Sequence, residues 1–238
     1  MIKGKKGFTL AEVLITLGII GVVAAMTIPN LMNNYTQKRN INTWKKAYAE
    51  FTQLAKQISY DYEVDTFEEA VRMQEELDNL TPQANVVTQP VINLFNRYFQ
   101  NTNTACNGNC KNGSQYKNGW NCQGILVDKY VGGKTGYKYL NGADAGYWVL
   151  GYYPTVCIQT PSYTFALDTN TSSYGRISID VNGKNAPNTI GKDIFVLNMN
   201  KLNEVIPGGT RNFYTSEDYA CNEKAKYGGP ACSKKYLE

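Results

Sequence analysis

The chain of 238 residues contains no histidine. Histidine is the usual general base near neutral pH, a member of the common catalytic triads and a frequent zinc ligand. Its absence excludes the most common catalytic and zinc-binding designs. An enzyme without histidine is still possible, but we predict none.

Charged residues are also scarce in the segment from Phe8 to Met32, where Glu12 is the only one. A helix over these residues would be about 37 Å long, and the hydrocarbon core of a bilayer is about 30 Å thick. The segment is therefore predicted to span a membrane. Because three lysines precede it, the positive-inside rule places the N-terminus in the cytoplasm and the rest of the chain outside.

A cleaved secretory signal ending at Ala25 is the alternative interpretation of this segment. The apolar stretch, however, continues to Leu31 and contains an acidic residue that a disposable signal does not need. We therefore favour a permanent membrane helix.

Cysteine is absent from the first 105 residues, and the chain then contains six. An even number on one side of a membrane suits an oxidising compartment and up to three disulfides. The spacings match no familiar zinc motif. The 15 ways of pairing six cysteines stay open. The candidates are Cys106, Cys110, Cys122, Cys157, Cys221 and Cys232.

The stretch from Gly7 to Glu12, GFTLAE, precedes an apolar helix that contains Pro29. This pattern resembles the N-terminus of type IV pilins and type II secretion pseudopilins over about residues 3–35. The resemblance implies a pilin-like fold, cleavage by prepilin peptidase between Gly7 and Phe8, and methylation of the new amine of Phe8. The proline should bend or loosen the helix, because it removes one backbone hydrogen bond.

The presence of Glu12 requires an explanation, because an acidic residue at the centre of a membrane helix costs about 2.5 to 3.5 kcal/mol. The resemblance implies that Glu12 pairs with the Phe8 amine of a neighbouring subunit during assembly. The alternatives are a protonated carboxyl or a side chain that reaches the nearby interface.

The resemblance also implies an organisation and a location. Residues 1–7 would be the leader peptide, 8–35 the transmembrane and filament-core helix, and 36–238 an extracytoplasmic head. The partners would be other pilins and further copies in a helical filament, prepilin peptidase and the inner membrane. A single-pass protein of the inner membrane would then enter a pilus or pseudopilus, in the periplasm or at the cell surface.

The head is predicted to have an α+β fold. One helix should run from Phe8 to Tyr60, because apolar residues recur at spacings of three and four after the membrane. Further helices are expected over 66–80, where a capping box precedes an apolar face that includes Leu77, and after Pro90. Short β-branched and aromatic segments after residue 124, among them 125–130, 137–140 and 147–153, predict an antiparallel sheet that packs on the long helix. Residues 193–207 are expected to form a hairpin with its turn at 200–203. The apolar seam of that helix consists of Ile41, Trp44, Tyr48, Phe51, Ala55, Ile58 and Tyr62.

The most patterned stretch of the head is DVNGKNAPNTIGKDIF, residues 180–195. Asp180, Asn182 and Asp193 could present oxygen ligands to calcium, as in some relatives of the resembling family. The stretch departs from a calcium loop, with Lys184 and Gly191 where ligands belong. Turn formation explains the same residues, so no cofactor is predicted beyond this candidate calcium site.

Two further functions stay open. A minor pilin at a filament tip could bind a surface through the Asn-rich loop 101–124, or DNA through lysines interleaved with tyrosines over 111–139. Tyrosines in strands are usually half-buried sheet residues, so nucleic acid is not the expected partner. A membrane-anchored exported enzyme would use a carboxylate pair such as Asp168 with Asp180. A structural subunit of a filament is the function that we predict.

Overall fold

The structure is a computed structural model that describes residues 7–79, 88–99, 103–104, 137–145, 155–168, 175–183, 185–211 and 213–238. The chain divides into two compact units, Met1–Arg39 and Asn40–Glu238. A long N-terminal helix and an antiparallel sheet confirm the predicted α+β class.

Helix α1 spans Leu10–Tyr62 and is 53 residues long. Each end lies two residues after the predicted one. Within the first unit, nearly every described residue of the helix is exposed to solvent. In the second unit one side of the helix is buried, as an amphipathic pattern requires.

The predicted seam of α1 forms this buried side. Trp44, Phe51, Ala55, Ile58 and Tyr62 are at most 5% exposed, while Ile41 and Tyr48 are half-buried. The helix buries a second row beside the seam, because each turn of 3.6 residues brings further positions to the same face. This row, which the spacing did not predict, consists of Asn40, Ala47 and Leu54.

Helix α2 spans Phe67–Leu77 and begins with the predicted capping box. The Thr66 hydroxyl accepts a hydrogen bond from the Glu69 amide, and the Glu69 carboxylate accepts one from the Thr66 amide. These bonds satisfy amide groups that have no partner inside the helix. The expectation that Leu77 would share the buried face was wrong, since its side chain is 57% exposed at the last turn.

Helix α3 spans Thr88–Tyr98 and begins two residues before Pro90. Proline is tolerated there because amides in the first helical turn have no intrahelical partner to lose. The helix supplies Val91, Leu94 and Phe95 to the core.

The described strands form one antiparallel sheet in the order β1-β2-β3-β4-β5-β6. Strands β3, β4 and β5 pair along most of their lengths and are largely buried. The strands are β1 Asn103–Thr104, β2 Thr155–Gln159, β3 Thr164–Asp168, β4 Arg176–Asp180, β5 Ile194–Lys201 and β6 Glu204–Pro207.

The hairpin predicted near the end of the chain is confirmed. Strands β5 and β6 pair, with Lys201 opposite Glu204, so the turn consists of Leu202 and Asn203. The predicted turn was longer and also contained Asn200 and Lys201.

The strand predicted over residues 137–140 was wrong. Lys138 forms only isolated bridges, with Asp144 and with Thr189. The strands predicted over 125–130 and 147–153 lie outside the described residues. So does most of the loop 101–124, of which Asn103 and Thr104 pair with β2.

Aromatic rings join α1 to the sheet, as predicted. The ring of Trp44 stacks on that of Phe195 in β5 with centroids 5.0 Å apart. Phe51 meets the ring of Phe165 in β3 edge to face at 5.0 Å. Such pairs contribute about 0.5 to 1.5 kcal/mol each beyond the area that they bury.

The tail packs on the same core through helix α4, Cys232–Lys235. The Ser233 carbonyl accepts a hydrogen bond from Trp44 Nε1 at 2.9 Å, and its hydroxyl accepts one from the Val196 amide at 2.9 Å. Gly191 has a φ of 86°, and a Cβ there would lie 2.7 Å from the Cys232 sulfur. The tail therefore fits closely against the loop that precedes β5.

Candidate processing and assembly site

The N-terminal half of α1 presents its apolar side chains to solvent. Phe8, just before the helix, is 89% exposed, and Leu14 and Leu31 within it are 61% and 70% exposed. Among the described residues, α1 is the one helix long and apolar enough to cross a membrane, with a mean hydropathy of 2.2 in its best window. Exposed apolar area on this scale requires a lipid or protein partner.

Glu12 forms a capping box with Thr9 at the start of this helix. The Glu12 Oε2 atom accepts hydrogen bonds from the Thr9 amide and the Thr9 hydroxyl, each at 2.8 Å. The Glu12 amide in turn donates to the Thr9 hydroxyl at 3.3 Å. Two amide groups at the helix start thereby gain partners.

Sequence reasoning missed this local role of Glu12. The signal was present, because Thr9-Leu10-Ala11-Glu12 has the same spacing as the capping box recognised at Thr66 and Glu69. Neither of the alternatives considered for the carboxylate, protonation or a reach to the interface, included a bond to its own helix.

Gly7 and Phe8 lie immediately before the capped helix. A Cβ at Gly7 would meet no atom within 4 Å, so no described part of the chain requires glycine there. A residue without a Cβ leaves the backbone open to close approach by another molecule.

Pro29 lies inside α1, as predicted. Nearby side chains donate to helix carbonyls: the Thr27 hydroxyl donates to the Val23 carbonyl at 2.9 Å, and Asn30 Nδ2 donates to the Met26 carbonyl at 3.5 Å. The predicted bend or loosening stays a prediction.

Asp180 and Asp193 are buried beside the loop that joins β4 to β5, with exposures of 1% and 0%. Asp180 Oδ1 accepts hydrogen bonds from the amides of Asn182 and Gly183. Asp193 accepts from the amides of Asn188 and Thr189, each at 2.7 Å. Both carboxylates therefore hold turns, as the turn interpretation requires.

Burial raises the pKa of both aspartates above the usual range, and the hydrogen bonds from backbone amides oppose this effect. The negative charge of Asp193 raises the pKa of Asp180 further. Two buried acids thus share one loop, and each is held by backbone amides of that loop.

The residues proposed for calcium lie on or beside this one loop, and two of their oxygens, Asp180 Oδ2 and Asn182 Oδ1, have no hydrogen-bond partner among the described residues. Within the described ranges no group of three or more acidic or cysteine side chains gathers to hold a metal. Calcium usually takes six to eight oxygen ligands, so two carboxylates and an amide would have to be supplemented by carbonyls or water. Calcium binding by Asp180, Asn182 and Asp193 stays the alternative to the turn interpretation.

The described part of the lysine- and tyrosine-rich segment does not offer the stacking surface that DNA would need. Tyr137 and Tyr139 are 2% and 4% exposed, although Lys138 between them is exposed. Their rings belong to the protein interior. The rest of the segment, 111–136, lies outside the described residues.

Asp168 and Asp180 do not face each other across the sheet. Asp180 in β4 lies opposite Thr164 in β3, and Asp168 is four residues further along β3. At about 3.3 Å per residue this places the two backbone positions about 13 Å apart. The pair considered for an enzyme is therefore not brought together.

The cysteines divide into two groups. Cys221 and Cys232 form a disulfide with their Cα atoms 4.7 Å apart. Cys106, Cys110 and Cys122 lie outside the described residues, and so does the side chain of Cys157 in β2.

Residues 2–28 match the model of the prokaryotic N-terminal methylation motif. Comparison with curated proteins finds no match. Comparison with solved structures also finds none. The matched residues contain the capping box, Gly7, Phe8 and most of the exposed apolar helix.

Proposed function

Because residues 2–28 carry the prepilin-type signal of type IV pilins and pseudopilins, we propose that this chain is a prepilin-like structural subunit rather than an enzyme. Prepilin peptidase cuts between Gly7 and Phe8, which removes the leader 1–7, and the amine of Phe8 is methylated. Segment 8–35 holds the protein in the inner membrane with residues 36–238 outside the cytoplasm. The subunit then enters a helical filament, a type IV pilus or a type II secretion pseudopilus.

The coincidence of this signal with an exposed apolar helix that contains one carboxylate carries the proposal. A filament core provides neighbouring apolar helices for side chains such as Leu14 and Leu31, which have no partner within the described chain. It also provides a cation for Glu12, because each processed neighbour brings a new amine at Phe8.

Glu12 then acts in two successive ways. Before assembly its carboxylate is held by Thr9, which supplies two hydrogen bonds but no positive charge. In the filament the Phe8 amine of a neighbour adds the charge. A charge-assisted hydrogen bond in an apolar setting is stronger than a neutral one, so correct register is favoured over loose association.

Two substitutions at Glu12 test the proposal. Glu12→Val should leave membrane insertion and leader cleavage intact and reduce the yield of filaments, because the partner of the amine is lost. Glu12→Gln should reduce the yield as well, although glutamine still completes a capping box. Filament yield is measured by shearing and immunoblotting.

The glutamine variant separates assembly from helix capping. Normal filament yield with Glu12→Gln and loss with Glu12→Val would assign the residue to capping alone. Normal yield with both variants would refute the proposed pairing.

A minor subunit at the filament tip is the second candidate. Antibody labelling of purified filaments decides between the two roles: label along the shaft supports a major subunit, and label confined to the ends supports a tip subunit.

A further inference from the structure

The segment that follows the last turns of α1 is strongly acidic. Residues 61–78 contain eight acidic residues and one basic residue, Arg72, which pairs with Glu68 at 2.7 Å. Three exposed acids of this segment have no ion pair within 4.0 Å to any residue that the structure describes. We call Glu63, Asp65 and Glu76 the acidic surface.

The position of these acids weakens the end of α1. The C-terminus of a helix carries a partial negative charge, so an acidic residue near it is destabilising. The last turn of α1 contains no basic residue. Glu63 also has a φ of 53°, a conformation that favours glycine. Arg97 of the same chain lies over the Tyr62 ring, 5.9 Å from its centroid, but forms no ion pair with these acids among the described residues. A cation from outside the chain would therefore still relieve this repulsion.

An open depression with apolar side chains lies beside the acidic surface. Its volume is about 1000 Å³, and its lining includes Tyr60, Met73, Leu77 and Glu63. Tyr60 is 81% exposed and Leu77 is 57% exposed. Apolar side chains bordered by charge are typical of a protein interface.

Helix α1 carries the complementary charge on an earlier stretch. Lys45 and Lys56 are exposed and have no ion pair among the described residues, whereas Lys46 pairs with Glu50 at 3.6 Å. Eleven residues make about three helical turns, so Lys45 and Lys56 lie on one side of the helix, about 16 Å apart. The small exposed residue Ala49 lies between them. We call Lys45 and Lys56 the lysine stripe.

The two surfaces cannot fully satisfy each other within one copy. Lys45 precedes Glu63 by 18 residues, or about 27 Å along the helix, well beyond the reach of a lysine side chain. Lys56 is only seven residues, or about 10 Å, from Glu63, but the two form no ion pair in the part of the chain that the structure describes. A second copy displaced along the filament can bring its own lysine stripe opposite these acids. Because the acidic surface and the lysine stripe are different surfaces, two copies joined in this way still have one free acidic surface and one free lysine stripe. Further copies can bind there, so the contact repeats from copy to copy.

We propose that the acidic surface of each subunit binds the lysine stripe of a neighbouring copy in the filament. This inference rests on the proposed function, because it requires assembly. The contact neutralises unpaired acids at the end of α1 and covers Tyr60 and Leu77.

Charge reversal in the full-length protein, expressed in filament-forming cells, tests the contact. Lys45→Glu with Lys56→Glu should lower filament yield about tenfold or more, and so should Glu63→Lys with Asp65→Lys, because like charges would then face each other. All four changes together should restore the yield to within about threefold of the wild type, since the complementarity is re-established. Lys224→Glu, an exposed reversal in the tail, is the matched control and should not change the yield.

The outcomes separate this inference from the function that it rests on. Loss with Glu12→Gln but normal yield with both charge reversals would overturn the contact and leave the assembly role standing. Loss with each reversal and no recovery in the fourfold variant would also overturn it, since the acids would then bind another molecule. Protein level and leader cleavage, measured in the same cells, must match the wild type for every variant that is scored.

Discussion

Glu12 and Asp180 are both acids in apolar surroundings, but the chain treats them differently. Glu12 lies on an exposed helix and is held by Thr9, so a partner from outside can still reach it. Asp180 is enclosed, and its partners are backbone amides of its own turn. Asp180 therefore serves the stability of the head, while Glu12 stays accessible for the assembly role that we propose.

The raised pKa of Asp180 should make the free energy of unfolding depend on pH. Burial raises its pKa in the folded state, so between about pH 3.9, its usual pKa, and the raised value the folded state holds a proton that the unfolded state has lost. The free energy of unfolding should fall as the pH rises through this window. Each unit of pKa difference corresponds to about 1.4 kcal/mol.

Asp180→Asn should flatten this fall and raise stability at neutral pH, because the amide oxygen still accepts the turn hydrogen bonds without a charge. The free energy of unfolding is measured by denaturant unfolding of the purified chain at several pH values. Asp180→Ala is the control and should lower the free energy of unfolding at every pH, since it removes the oxygen that accepts the turn hydrogen bonds. An unchanged pH profile in the Asn variant would contradict the argument.

Calcium at the same loop requires its own test. If turns alone hold Asp180, Asn182 and Asp193, excess calcium and excess chelator should give the same unfolding temperature. An unfolding temperature that is higher in calcium than in chelator, with no such difference in Asn182→Ala, would establish a metal site instead. We expect no difference, because backbone amides already occupy one oxygen of Asp180 and both oxygens of Asp193.

Among helices and strands, those with strong local signals were predictable. The capping box fixed the start of α2, and repeated apolar spacing gave α1 to within two residues at each end. The segment 137–140 has strand-forming residues but pairs only at single bridges, because its neighbours are the loop residues Asp144 and Thr189. Pairing partners distant in sequence are not visible in a local pattern.

The disulfide of the tail should contribute measurably to stability. The closed loop has a sequence separation of 11, and closure of a loop of this length contributes about 3 kcal/mol in the chain-entropy model. Cys221→Ser with Cys232→Ser should lower the free energy of unfolding by about that amount. Urea unfolding of the oxidised and the reduced protein gives the measurement. Equal stability in both states would show that hydrogen bonds alone hold the tail.

For the molecule as a whole, the sequence of the N-terminal motif was more informative about function than the sequence of the head. Residues 3–35 predicted a membrane helix and a processing site, and the methylation motif spans most of them. Under the proposed function, the choice between pilus and pseudopilus would depend on surfaces of the assembled head, where residues from different copies meet. Such contacts would leave no pattern in one chain beyond charges such as Glu63 and Lys56, which have no ion pair among the described residues.

Processing should depend on Gly7. Gly7→Leu should leave the leader attached, because the peptidase needs close access to the backbone, whereas the fold has open space at this position. Gly4→Leu, within the leader, is the control and should be cleaved. Mass spectrometry of the N-terminus reads the result, and a mature chain beginning at Phe8 in the Gly7 variant would contradict the prediction.

The bond between Trp44 and Ser233 has a consequence for biosynthesis. The indole emerges from the ribosome early, and its acceptor carbonyl is made nearly 190 residues later. The buried indole N–H therefore lacks its native partner until residue 233 has been made. Chaperones have a long interval in which to bind this unfinished interior, and a ribosome that stalls shortly before residue 233 should release a product that proteases remove.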